Sequence, residues 1–218
     1  MKGNIDYFNM NINKIINGSC IEVMRQFPDK SIDVIITDPP YGVGMEYDIY
    51  EDTKENLKSL VDAFFIEAHR ITDLIVITPG NENQSIYPQP TWTLAWIIDA
   101  GVGRCKWGFS CWQPVLVYGK DPYLKNGMGA RADIIKDNSK SSSKEHVCAK
   151  PLTFMQKLID RVSVNKDDLI LDPFCGSGTT CVACKIMGRR YIGIDMSENY
   201  CKVAEERLGY TGTQYELF

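Results

Sequence analysis

No stretch of this sequence offers the 18 or so uninterrupted apolar residues that a membrane span needs, and its start, Met1 to Asp6, lacks the layout of a signal peptide. A cytoplasmic protein with no membrane contact is the expectation. The eight cysteines lack the dense spacing of a disulfide scaffold, so they read as reduced thiols. Cys181-x-x-Cys184 has no second Cys/His pair at ligand spacing, so no metal is expected. A basic coat is missing too. The formal net charge of −4 excludes a surface built all round for nucleic acid, but it leaves room for one basic face. Between Lys120 and Lys150 seven basic residues stand against four acids, whereas 46–55 carries five acids and one lysine. That polarity fits an enzyme with one nucleic-acid-binding face, and fits a mixed, solvated surface nearly as well.

What is there is organised around Ser31-Ile32-Asp33-Val34-Ile35-Ile36-Thr37-Asp38-Pro39-Pro40-Tyr41. The β-branched run has the make-up of a strand buried on both faces. Each proline forces the residue before it away from helical dihedrals, so the strand stops at Asp38. The Asp38 carboxylate, the Pro39 carbonyl and the Tyr41 ring then face one small space. An acceptor pair beside a flat ring suits a planar group carrying an NH2.

At 218 residues one domain, 1–218, is the default. Ile12 to Ile16 reads as a strand, Cys20 to Phe27 as a helix before Pro28, and 43–56 as a long connection with the character of a lid or an ordinary surface loop. Leu57 to Ile71 has the apolar stripe of an amphipathic helix, and Leu74 to Thr78 is a second buried strand. A helix from about Thr91 to Ala100 is expected after Pro90. Val102 to Phe109 and Val115 to Tyr118 then read as an antiparallel pair at a sheet edge, with Trp92, Trp96, Trp107 and Trp112 as core and interface aromatics. The 119–149 stretch is irregular, a short insertion whose Ser139–Lys144 run suits phosphates. A helix follows Pro151.

Leu169 to Leu171 is a strand that runs into Asp172-Pro173-Phe174-Cys175-Gly176-Ser177-Gly178-Thr179-Thr180. Glycines between a strand and a helix let backbone N–H groups approach a ligand, and the helix from Thr179 points its positive end at it. The next strand, Tyr191 to Ile194, ends in Asp195, seventeen residues past Gly178, where an acid usually holds ribose hydroxyls. The third glycine of a dinucleotide fingerprint is absent, because Cys occupies position 181, and no phosphate-loop lysine follows. An adenosine ligand without a pyrophosphate fits better.

Asp38-Pro39-Pro40-Tyr41 and the 172–180 loop together resemble the amino-methylating DNA methyltransferases, which use S-adenosylmethionine to methylate adenine N6 or cytosine N4. The resemblance extends to Ser31-Ile32-Asp33, to His146-x-x-x-Lys150-Pro151, to Gly188-Arg189-Arg190-Tyr191-Ile192-Gly193-Ile194-Asp195 and to the helix ending Ala204-Glu205-Glu206-Arg207-Leu208. It covers about Lys14 to Leu208 with a gap at 119–145. The catalytic motif precedes the cofactor loop, as in the permuted β group. The resemblance implies an α/β, Rossmann-like methyltransferase fold: a mostly parallel seven-stranded sheet, one antiparallel edge strand, helices on both faces. It implies catalysis at Asp38–Tyr41 and cofactor binding at 172–180, Asp195, Lys150 and Pro151, with Lys150 reaching the cofactor carboxylate. Where the family often has Gly-Asp, this chain has Gly18-Ser19. Its target-recognition region at 119–149 is short, so sequence readout is either limited or shared with a second subunit, a homodimer.

The resemblance implies DNA as partner and direct in-line transfer to a flipped base. Amine hydrogens would go to the Asp38 carboxylate and the Pro39 carbonyl, and Tyr41 would stack on the base. The cytosine C5 route needs a thiolate in a Pro-Cys context, which is lacking. Asp at the head of the tetrapeptide favours adenine over cytosine N4, where Ser replaces it in many members. Two further readings stay open beside these: methylation of protein glutamine or RNA, as by relatives whose motif is led by Asn, and a catalytically silent DNA-binding relative.

Overall fold

The computed structural model describes residues 2–42, 44, 50–99, 101, 103–139 and 150–210. In chain order the elements are α1 (Lys2–Met10), β1 (Lys14–Asn17), α2 (Cys20–Arg25), β2 (Val34–Thr37), α3 (Lys54–Ile71), β3 (Ile75–Ile77) and β4 (Trp92–Ile97). There follow β5 (Gly103–Cys105), β6 (Gly108–Ser110), β7 (Trp112–Tyr118), α4 (Pro122–Lys125), β8 (Ile134–Lys136), α5 (Leu152–Val162), β9 (Leu169–Asp172), α6 (Thr179–Ile186), β10 (Arg190–Asp195) and α7 (Glu198–Tyr210). Among the described residues eight strands make one sheet in the order β1-β10-β9-β2-β3-β7-β4-β8, and β5 and β6 make a separate hairpin. Among the described residues no helix is long and apolar enough to cross a membrane.

Successive side chains on a strand point to opposite faces, and β2 feeds both cores. Val34 and Ile36 pack with Phe154, Leu158, Val182 and Ala204 from α5, α6 and α7. Ile35 packs on the other side with Val23, Phe64 and Phe65 from α2 and α3. Burial on both faces is why the strand reads as a continuous apolar run. Ile35 is fully buried, so truncation to Ala would cost about 2–5 kcal/mol. The helices-on-both-faces architecture expected from the resemblance is thus present.

Three expectations need correction. The stretch expected as a helix over 91–100 is β4, which pairs antiparallel with β7 and buries Leu94, Trp96 and Ile98. The period is two, and the Thr, Trp and Ile content belongs to a strand. The region 102–109 does not pair with 115–118. It folds on itself as β5 and β6, with Gly103 and Gly108 at φ +144° and +116°, while β7 inserts between β3 and β4. The antiparallel strand is therefore internal, and its unbroken run Val115-Leu116-Val117 is buried. The sheet has eight strands where seven were expected, because the supposedly irregular insertion supplies edge strand β8, parallel to β4. Only Ile135 of β8 points inward, too little for a periodicity to register.

Strands β2 and β9 lie side by side, Val34 opposite Ile170 and Ile35 opposite Leu171. The chain winds outward from them in both directions, to β3 and to β10, which makes their carboxyl ends the switch point where ligands bind in open α/β sheets. Asp38 and Asp172 emerge there together.

Candidate active site

Asp38 follows the last residue of β2, and the two prolines after it end the strand. Its Oδ1 accepts from Thr78 Oγ1 at 2.6 Å, Tyr41 Oη at 2.5 Å and Lys150 Nζ at 2.8 Å; its Oδ2 accepts from Lys150 Nζ at 2.7 Å. The Lys150 ammonium also bonds the Tyr41 hydroxyl and lies 5.0 Å from the centre of that ring. The Asp38 and Lys150 side chains are 19% and 8% exposed, so this ion pair is only lightly screened by water. Tyr41 is fixed from its backbone side as well. Asn83 Nδ2 donates to its carbonyl at 2.5 Å, and Gly80, in the left-handed region at φ +73°, lies against the ring where a Cβ would touch at 3.7 Å.

The second half of the site begins where β9 ends. Asp172 is buried and its Oδ1 accepts from Thr37 Oγ1 at 2.7 Å and from the Phe174 N–H at 3.2 Å. The Thr37 bond ties the two motif strands together across the switch point. Burial pushes the Asp172 carboxyl up to about 6, against the opposing pull of its hydrogen bonds to Thr180, Thr37 and Phe174. At the end of β10, Asp195 accepts from Gly176 N–H through Oδ2 and from Ser197 N–H through Oδ1, both at 2.9 Å. Asp195 therefore shapes the loop it faces. Gly178 caps α6 at φ +79°, and a Cβ there would lie 2.7 Å from the Cβ of Ala204, so this position is closed to any side chain.

One cleft holds both halves, with Asp38, Pro39, Tyr41 and Lys150 at one side and Pro173, Phe174, Gly176 and Asp195 at the other. It also takes in Pro40, Cys175, Ser177, Thr179 and Thr180, whereas Gly178 and Pro151 do not line it. Among the described residues that line it, the carboxylates Asp38, Asp172 and Asp195 stand against one lysine, Lys150, which Asp38 already occupies. A pyrophosphate would meet net negative charge here. A nucleoside carrying a positive sulfonium fits that balance, with the Asp195 carboxylate as acceptor and the apolar Pro173 and Phe174 as flank.

The sequence motifs pointed to this cleft, with one difference in partnership. Lys150, expected to reach the cofactor carboxylate, is engaged with Asp38. Thr78 and Asn83 were not anticipated. Each sits just beyond β3 in a region without a motif, and their only signal was proximity of that strand to β2. Tyr41 was expected to offer a ring, and its hydroxyl is also a donor to Asp38. Cys181 and Cys184 lie fully buried in α6, and among the described residues no group of three side chains is placed to hold a metal. Burial raises the Cys20 thiol to about 12 and raises that of Cys184, which removes both as thiolate nucleophiles near neutral pH. Trp96 stacks on Phe154 in the core, ring centres 3.9 Å apart, whereas Trp92, Trp107 and Trp112 are exposed and so do not belong to the core. Lys140, Lys144 and His146, and most of the 43–49 part of the long connection, lie outside the described residues.

Comparison with known proteins bears on the fold and the family. The putative methylase YubD of Escherichia coli K12 is 28% identical over 221 residues, covering 90% of each chain. Among solved structures, the M1.HpyAVI–SAM complex superposes with a TM-score of 0.66 at 24% identity, over 89% of this chain and 98% of that one. The cytosine-N4-specific PvuII DNA methyltransferase also scores 0.66, at 16% identity over 88% of this chain and 85% of that one. These structural likenesses show a shared fold. The model of the N6/N4 DNA methylase family matches residues 80–206, more than half of the chain. With that match and the motif strands meeting at one switch point, the chain belongs to the N6-adenine/N4-cytosine family of DNA amino-methyltransferases.

Proposed function

We propose that this protein transfers a methyl group from S-adenosylmethionine to N6 of adenine in DNA. The observation that carries the reading is the shared cleft, in which an acid-led Asp38-Pro39-Pro40-Tyr41 faces the loop held by Asp195. S-adenosylmethionine supplies an electrophilic methyl on a sulfonium. Gly176 and Ser177 would border it, Asp195 would hold its ribose, and Phe174 would cover an apolar face.

The chain's own residues prepare the acceptor. An exocyclic amine is a poor nucleophile because its lone pair is delocalised into the ring. Hydrogen bonds from its two N–H groups to Asp38 and to the Pro39 carbonyl favour a pyramidal nitrogen with its lone pair free. Asp38 Oδ1 already takes three donors, whereas among the described residues Oδ2 takes only Lys150. An oxygen of a carboxylate has two lone pairs, so Oδ2 is the atom with capacity for the amine. As the N–C bond forms and the S–C bond breaks, its electron pair leaving with the sulfur as a neutral thioether, positive charge would develop on the nitrogen, and the fixed carboxylate would stabilise it without reorganising. One amine proton then leaves toward Asp38 or water. The burial of Cys20 and Cys175, the cysteines that line the cleft among the described residues, and the lack of a Pro-Cys context argue against a covalent base intermediate.

Support for adenine over cytosine comes from the acid at position 38, since many cytosine-N4 members carry serine there. The test is tritiated methyl transfer to genomic DNA, with nucleosides separated afterwards. N6-methyladenine is expected. N4-methylcytosine would overturn the base assignment, and no transfer to any DNA would overturn the reading as a whole.

A further inference from the structure

The β5–β6 hairpin presents Trp107 at its turn with 98% exposure and Phe109 with 72%, and Trp112 just beyond it is 43% exposed. Three large aromatics in six residues of surface need a reason, because a lone hydrophobe outside is ordinary and a cluster is not. The place of the hairpin is informative. Strand β7 runs against β3, so its start at Trp112 lies at the end of the sheet where Asp38 emerges. Two asparagines then tie the hairpin to the site. Asn81 Nδ2 donates to Ser110 Oγ at 2.6 Å and to the Trp112 carbonyl at 3.1 Å, while Asn83, two residues on, holds the Tyr41 carbonyl.

The charge on the hairpin selects its partner. Between Gly103 and Trp112 there are Arg104 and Lys106 and no acid, in a chain of net charge −4. Arg104 is paired with Phe109 across the hairpin, which puts cation and ring on one face. A second copy would bring like charge against like charge. A polyanion with flat apolar faces, a DNA duplex opened at the target base, matches both features.

We propose that this hairpin is a DNA probe: Trp107 and Phe109 contact bases beside the target while Arg104 and Lys106 contact the neighbouring phosphates. This rests on the proposed DNA methylation and adds a contact surface outside the cleft.

The test is fluorescence anisotropy with a labelled mixed-sequence DNA duplex, alongside cofactor titration calorimetry and sedimentation. Trp107→Ala should weaken duplex binding by about fivefold to a hundredfold, the scale of losing one base–aromatic contact, with cofactor affinity and sedimentation unchanged. Trp107→Phe should recover most of the affinity. Arg104→Ala with Lys106→Ala should flatten the slope of log affinity against log salt by up to about 1.8. Duplex binding at wild-type strength in both variants would overturn the proposal. So would a wild-type dimer that Trp107→Ala dissociates, which would give the patch to a second copy. Wild-type methyl transfer is measured separately, so a failure of the hairpin leaves the proposed activity standing.

Discussion

Lys150 Nζ lies 2.8 and 2.7 Å from the two carboxylate oxygens of Asp38, across 112 residues of sequence. The pair joins the Asp38–Tyr41 motif to the step before α5, and it is mostly shielded from water. Removing either partner alone leaves the other charge partly desolvated and unpaired. A double-mutant cycle on Asp38→Ala and Lys150→Ala, read by urea unfolding, should give a coupling energy of about 1–3 kcal/mol. Additive losses would mean that the two charges do not interact in solution.

Tyr41 reaches the same carboxylate through its hydroxyl. Tyr41→Phe keeps the ring proposed to stack on the base but removes a donor to Asp38, so single-turnover methylation should fall about tenfold, roughly 1.4 kcal/mol, as for one charge-assisted hydrogen bond. Tyr41→Ala should fall further. If Tyr41→Phe matched wild type, only the ring would matter.

Asp195 holds the loop and, in the proposed binding mode, the cofactor ribose as well. Asp195→Ala removes the acceptor for Gly176 and Ser197 as well as the proposed ribose partner, and should weaken S-adenosylmethionine binding by at least about 1–3 kcal/mol in calorimetry. Unchanged affinity would place the ribose elsewhere.

Asp172 makes stability depend on pH in an uncommon direction. Its carboxyl titrates at about 6 in the fold against an ordinary value of 3.8, so the native state keeps a proton that the unfolded chain has released. The stabilisation from this group is present at low pH and is lost as pH rises through 6, by up to about 3 kcal/mol. Asp172→Asn keeps an oxygen to accept from Thr37 and Phe174 and cannot ionise. Its stability relative to wild type should therefore rise between about pH 4 and pH 7, and a difference flat in pH would refute the assignment.

Much of the site was legible because prolines and glycines act locally. Pro39 and Pro40 end β2 wherever it lies, and Gly176 and Gly178 mark a tight strand-to-helix loop whatever surrounds it. The partners of Asp38 were not legible, since Thr78 and Lys150 arrive from other elements and only the order β9-β2-β3 brings them in. The same limit explains β4 and β7. Antiparallel partnership is a choice made by the assembled sheet, and a Trp- and Ile-rich segment after a proline fits a helix or a strand until its neighbours are known. The exposed hairpin aromatics went unrecognised because composition ranks Trp as an inside residue and says nothing of a two-stranded ribbon standing off the sheet.

Under the proposed mechanism Asp38 accelerates transfer by hydrogen bonding to the amine as charge develops on it. Single-turnover methyl transfer by Asp38→Ala to genomic DNA, with S-adenosylmethionine affinity determined on the same protein, separates that role from ground-state binding. A rate at least about a hundredfold below wild type is expected, the scale for removing one pre-organised charge-stabilising partner, with cofactor affinity near wild type. Methyl transfer by Asp38→Ala at the wild-type rate would contradict the mechanism.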